Sequence, residues 1–190
     1  LAMNSRERVL ASIRHKEPDQ VPVDLGSNPS SGISAIAYSN LLKYVKLGHL
    51  PVQIYDVVQQ LAQPHDQIID LFGIDVLDIG RLFNEKDEHW HPTLMANGES
   101  AFYPMSFHPF QDEKNNWLAK DASGQVIAKM PTNATFFDQT HFPWLDGYPE
   151  NMDSLDEAMS KVLWAAFAHS PWDHADNPGF WEQLRERTLK

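Results

Sequence analysis

The stretch 4–26 constrains this chain more than any other, because it specifies a helix, a turn and a strand in immediate succession. Asn4 is suited to cap a helix. Glu7, three residues on, completes a capping box that satisfies two end N–H groups lacking helical partners. Val9, Leu10 and Ile13 follow at helical spacing and predict the buried face. Pro18 drives Glu17 toward extended backbone, so the helix ends near His15. The run 21–25, V-P-V-D-L, reads as a short buried strand, and 26–32, rich in Gly, Ser, Asn and Pro, as the loop after it.

The spacing then predicts a helix over 34–46, with Ile36, Leu41, Leu42 and Val45 as its stripe, and helical pieces over 54–61 and 65–72. Pro64 is suited to open the second piece at its first position. Gly73 ends it, and 74–79 is an apolar strand closed by Gly80. Helix, strand, helix, helix, strand is the rhythm of a parallel α/β sheet. Both strands are apolar without alternation, which predicts parallel neighbours joined by a right-handed crossover.

Over 88–141 that rhythm breaks. Asn97-Gly98, a dipeptide suited to a type I′ turn, lies between strand-like runs in 90–103. Asp121-Ala122-Ser123-Gly124 repeats the pattern within 117–130, and 135–138 adds a strand. Helical signals return at Ser154-Leu155-Asp156-Glu157, a second capping box that opens onto Ala158, Val162, Leu163 and Phe167 and is stopped by Pro171. Asn177-Pro178 opens a last helix carrying Phe180, Trp181 and Leu184. The expected organisation is 3–87 as a first helix with strand and helix units, 88–141 as an antiparallel insertion with its own aromatic core, and 142–190 as a helical return.

With 26 acidic against 15 basic residues the net charge is −11, and no Lys or Arg stripe forms, which argues against nucleic acid and anionic membranes as partners. There is no cysteine, so neither disulfides nor thiolate chemistry operates within these residues, and a reducing cytoplasm fits. No apolar run long enough to span a bilayer and no signal-peptide pattern is present, so a soluble chain is expected. Met3, after Leu1 and Ala2, reads as the natural start. No phosphate loop and no G-x-S-x-G elbow occurs.

Five segments carry a family resemblance: Arg6-Glu7-Arg8-Val9-Leu10, Val21-Pro22-Val23-Asp24, Phe72-Gly73-Ile74-Asp75-Val76, Asp87-Glu88-His89-Trp90, and Phe180-Trp181-Glu182-Gln183-Leu184. In them the chain resembles the uroporphyrinogen decarboxylase superfamily of TIM barrels, which includes porphyrinogen decarboxylases and corrinoid-dependent methyltransferases. A (β/α)₈ barrel takes about 250 residues. At 190 residues, many of them outside the α/β rhythm, the chain is expected to be an N-terminal barrel fragment with an antiparallel hairpin insertion.

Porphyrinogen decarboxylases carry an R-Q-A-G-R segment after the first strand, whose arginines clamp substrate carboxylates with their planar forks. Here Leu25-Gly26-Ser27-Asn28-Pro29-Ser30 stands instead, and Asp78 with Ile79-Gly80-Arg81 replaces the family's F-S-D after the second strand. The resemblance therefore implies the methyltransferase-like branch. In that branch zinc, held by His and Cys in the second half of the barrel, activates a thiol that accepts methyl from a corrinoid partner. None of those ligands lies in this chain.

Barrel sites lie at the C-terminal ends of strands, which singles out Asp24 and Asp78 as catalytic candidates and Ser27, Asn28 and Arg81 as substrate-binding candidates. The alternative for both aspartates is a cap or an ion pair. His89, His91 and His108 could converge on one face, yet no spaced fourth ligand accompanies them, so an aromatic hairpin is the expectation and no metal is assigned. Asp173-His174-Ala175-Asp176 reads as a solvated loop with a helix cap. Three function classes stay open: the N-terminal part of a corrinoid-linked methyltransferase, the same part of a decarboxylase, and a non-catalytic α/β binding module. Self-association is expected of a fragment whose strand edges and apolar faces lack cover.

Overall fold

Asn4 caps helix α1, Ser5–Ile13, through the expected box: its side chain accepts from Glu7 N, and the Glu7 carboxylate accepts from Asn4 N. The computed structural model to which this helix belongs describes residues 2–79, 86–149, 151–167 and 175–189. The chain is mixed α/β, with antiparallel sheets, and no sheet among the described residues closes into a barrel. It forms two compact units. The first comprises Leu1–Ile33, Ala62–Glu85 and Ser170–Lys190; the second comprises Ser34–Leu61 and Lys86–His169. Two of the four places where the chain passes from one unit to the other fall within the two-residue strands β1, Ile33–Ser34, and β3, Leu61–Ala62.

In the first unit the buried residue of α1 is Arg8, while Ile13 is 67% exposed, so the apolar face expected of Val9, Leu10 and Ile13 is displaced by a charged one. The segments 21–25 and 74–79 do meet in parallel. The contact is a single bridge between Asp24 and Val76, with Asp75 N donating to Val23 O at 2.7 Å. They are not the continuous buried strands expected: Val21 is 81% and Leu77 58% exposed. Pro22 has no N–H to add to a ladder, which keeps the pairing short.

Helix α3, Asp66–Phe72, buries Ile68 and ends on Gly73 in the left-handed region at φ 59°, as the glycine predicted. Its N-cap is His65, so Pro64 precedes the helix rather than opening it. The Pro64 ring packs instead on Gly26, whose φ of +82° and lack of Cβ permit an approach at which an added Cβ would lie 3.0 Å from that ring. The final helix of the described residues, Phe180–Thr188, starts after Gly179 rather than at Pro178; Phe180 and Leu184 are buried and Trp181 is exposed.

In the second unit Ser34 caps α2, Ala35–Tyr44, whose Tyr38 and Leu42 are fully buried. Residues 54–61 are not helical. They form β2, Ile54–Asp56, and a tight turn leading into β3. Ile54, Val57, Val58 and Leu61 are all buried, so apolar residues at helical spacing here belong to a core without forming a helix. Asp56 decides the matter: its carboxylate accepts from Val58 N and Gln59 N at 3.0 and 2.8 Å, a turn that competes with helix.

The hairpin of β4, Trp90–Leu94, and β5, Ser100–Pro104, forms in the expected place, pairing His91 with Tyr103 and Leu94 with Ser100 across a turn at Asn97 and Gly98. A four-stranded antiparallel sheet follows in sequence order: β6, Phe110–Gln111; β7, Trp117–Lys120; β8, Val126–Met130; and β9, Asp138–Gln139. The β7–β8 turn is held by Asp121, which accepts from Ser123 N and Gln125 N at 2.9 Å each. Ser154 makes no cap hydrogen bond, and the helix expected there is broken into α4, Leu155–Met159, and α5, Leu163–Phe167, which makes the helix at 180–188 α6. Phe107 is the hub of the expected aromatic core, edge-on to Tyr103, Phe137 and Phe167 at 5.1, 5.5 and 5.1 Å.

The Tyr103 hydroxyl, buried among these rings, donates to Gln60 Oε1 at 2.7 Å, and Gln60 Nε2 donates to Val57 O. Burial pushes the phenol well above its usual pKa, so it remains a donor throughout the accessible range. Tyr103→Phe leaves the Gln60 oxygen without its donor and is expected to cost about 1–3 kcal/mol. Urea unfolding monitored by circular dichroism should show a lower midpoint at unchanged slope.

Candidate functional site

Asp24, Ser27 and Asn28 are brought together at the end of the first parallel segment. Asp24 Oδ1 accepts from Ser27 N at 3.1 Å and Oδ2 from Ser27 Oγ at 2.6 Å, while Asn28 Nδ2 donates to Ser27 Oγ at 3.2 Å. Asn28 Oδ1 accepts from Ser30 N, capping the short 3₁₀ turn Pro29–Ser31. Asp24 and Asn28 are exposed and Ser27 is half-buried. Aspartate and asparagine take these positions because their short side chains bond backbone two or three residues on. The result is an accessible carboxylate already engaged by one hydroxyl. It can accept a hydrogen bond or attract a cation, and it has no means of clamping another carboxylate.

Asp78 lies two residues past the Val76 bridge, half-buried and with interaction partners of its own. Arg81 lies outside the described residues, as do Asp173 and His174 of the 173–176 cluster; Asp176 is exposed. The capping role open to either aspartate is thus met at Asp24 by Ser27.

The strongest electrostatic feature of the first unit is one that residue spacing did not single out. The Arg8 side chain is only 11% exposed. Its Nε donates to Asp19 Oδ1 at 2.8 Å, Nη2 to Asp19 Oδ2 at 3.2 Å and to Met3 O at 2.9 Å, and Nη1 to Asp75 Oδ1. Asp75, with a side chain 1% exposed, passes the link on by accepting from Val23 N at 2.9 Å. The hydrogen bond from Arg8, helped by Met3 N, holds the Asp19 carboxyl far below its ordinary range. Burial works to raise Asp75, but hydrogen bonds from Val23 N, Ser5 and Arg8 outweigh it and its pKa is lowered. Arg8 itself is raised, chiefly by its bond to Asp19. In the sequence this appears only as an arginine in a helix, one aspartate 11 residues on and another 67 residues on.

The three histidines do not converge. His91 stacks on His108 with centroids 4.4 Å apart and planes 22° apart, and its Nε2 bonds Phe107 O at 2.8 Å. His89 sits in the 3₁₀ turn before β4, its Nδ1 buried with no hydrogen-bond partner among the described residues. No group of three or more His, Asp or Glu side chains among the described residues is placed to hold a metal ion.

Compared with known proteins, the chain matches no protein-family model, no curated protein and no solved structure. Among the described residues no helix is long and apolar enough to cross a membrane.

The depressed carboxylates give the first unit a defined acid response. Their folded pKa values lie below the ordinary value of about 4, so their stabilisation is complete above that pH and is lost as pH falls through the folded values. The melting temperature should be flat near neutrality and fall on acidification below about pH 4. Asp75→Asn should lower it at neutral pH and flatten part of the acid slope; an unchanged acid slope, read by scanning calorimetry across pH, contradicts the assignment.

Proposed function

We propose that this chain is the N-terminal part of a uroporphyrinogen-decarboxylase-superfamily protein of the corrinoid-dependent methyltransferase-like branch. One observation carries the proposal. The Arg8–Asp75–Val23 linkage joins in space three of the segments on which the resemblance rests, and sets 21–25 beside 74–79 in parallel, as the first two strands of a barrel require. The branch is favoured by the loop after the first segment. Where a tetracarboxylate or octacarboxylate substrate needs arginines, Asp24 presents a carboxylate held by Ser27.

In this reading Asp24 and Asp78 stand at the strand ends that face substrate, and the remainder of the barrel supplies the zinc ligands and the surface for a corrinoid partner. Zinc there lowers the pKa of an acceptor thiol; the residues of this chain orient the substrate side of the site. The exposed Ile13, Val21, Leu77 and Ile79 mark where adjoining barrel elements pack.

Two measurements test the proposal. The isolated 190-residue chain should turn over neither methylcobalamin with a thiol nor a porphyrinogen, because two of eight strands cannot build a site. A protein extended by its downstream reading frame should bind stoichiometric zinc and demethylate methylcobalamin only when thiol is present. Turnover by the isolated chain, or an extended protein without zinc, overturns it. The uncovered apolar residues also predict self-association: light scattering at micromolar concentration should give a mass above the 21.7 kDa of one chain, and a monomer rejects that expectation.

A further inference from the structure

We propose that the second unit carries a binding site for a neutral, planar heteroaromatic molecule with a hydrogen-bonding edge, of the kind a purine nucleoside presents. The site is a groove of about 790 Å³ between the β4–β5 hairpin and the end of the four-stranded sheet where β6 meets β7. That volume suits a small ligand of drug-like size. This inference is independent of the barrel reading above.

The first observation is charge. In a chain with 26 acidic residues, none of the described residues lining this groove is charged. A phosphate finds no cation there and an ammonium no anion, so the complementary ligand is neutral. The walls combine flat π surfaces with amides. Half-buried His91 supports exposed His108 in a stack, and half-buried Trp117 lies on the lining with Gln111, Asn115 and Asn133. Those three amides make no side-chain hydrogen bond among the described residues. An amide offers donor and acceptor side by side, the pattern that reads a purine edge bidentately, and an exposed imidazole face extends a stack to one more ring.

The second observation is that the amides are held in place from behind. Asn115 and Asn133 are both in the left-handed region, at φ 60° and 71°. Backbone held in such conformations recurs at binding sites, where surrounding structure maintains it. Here Asp112 accepts from Lys114 N and Asn116 N at 2.9 Å each, and Asn116 Nδ2 returns to Asp112. Thr132 then ties the two turns together, its N donating to Asn116 Oδ1 at 3.2 Å and its Oγ1 to Lys114 O at 3.0 Å. The bond from Asn116 lowers the pKa of Asp112, so the carboxylate that holds this turn stays ionised.

The test is titration of the whole chain with adenosine, AMP and cellobiose, followed by saturation-transfer NMR and calorimetry. Adenosine should bind saturably, AMP at least about tenfold more weakly because its phosphate has no partner in a chain of net charge −11, and cellobiose not at all. Asn115→Gly removes an amide while keeping the left-handed backbone, and His108→Ala removes the stacking face. Each should weaken adenosine about five- to tenfold with an unchanged near-ultraviolet spectrum. If Asn115→Gly alters that spectrum, Asn133→Gly takes its place. No saturable adenosine binding, AMP binding as tight as adenosine, a preference for cellobiose, or full affinity in both variants overturns the proposal.

Discussion

A guanidinium removed from water needs more than one partner, and the first unit is organised around that need at Arg8. A lone buried charge is too costly to persist, whereas a planar fork shared between two carboxylates and a carbonyl leaves few of its N–H groups unpaired. Satisfying Arg8 fixes Met3 and Asp19 beside α1 and brings in Asp75 from 67 residues away. Asp75 in turn has a second oxygen, and Val23 N occupies it. The parallel contact between 21–25 and 74–79 is therefore as much a consequence of ionic pairing as of apolar burial.

Local signals in the sequence were legible where short-range chemistry decides the outcome. The Asn4 box, the Gly73 stop and the hairpin turn at Asn97-Gly98 all rest on residues within four positions of each other. Reading failed where a polar side chain overrode an apolar pattern. The residues at 54, 57, 58 and 61 have helical spacing, yet Asp56 turns the backbone and two short strands result. Ser154 looks like a capping residue but makes no cap bond, and α4 stops after one turn and a little more. At the candidate site, the proximity of Asp24, Ser27 and Asn28 was legible because they are sequence neighbours. Arg8 was not, because nothing in its helix points to position 75.

At least six of the 26 acidic residues serve the architecture directly. Asp19, Asp24, Asp56, Asp75, Asp112 and Asp121 each accept at least one backbone N–H. Carboxylates used in this way replace water at donors that loops and turns leave open. A negative composition thus coexists with a groove whose described lining is uncharged, while Asp112 beside it is engaged in holding the turn.

The interleaving of the two units along the chain sets the order in which the molecule can assemble. Residues 86–169 close hairpins between near neighbours, contacts that form early because their loops are short. The first unit gathers the opening of the chain, a middle stretch and α6, so on a ribosome its earliest helix waits, with Arg8 still hydrated, until Asp75 has been made. Nascent chains therefore pass through an interval, 67 residues long, in which Arg8 lacks Asp75 and the amino-terminal region is unfinished, and in which a chaperone or a neighbouring nascent chain finds the most to bind.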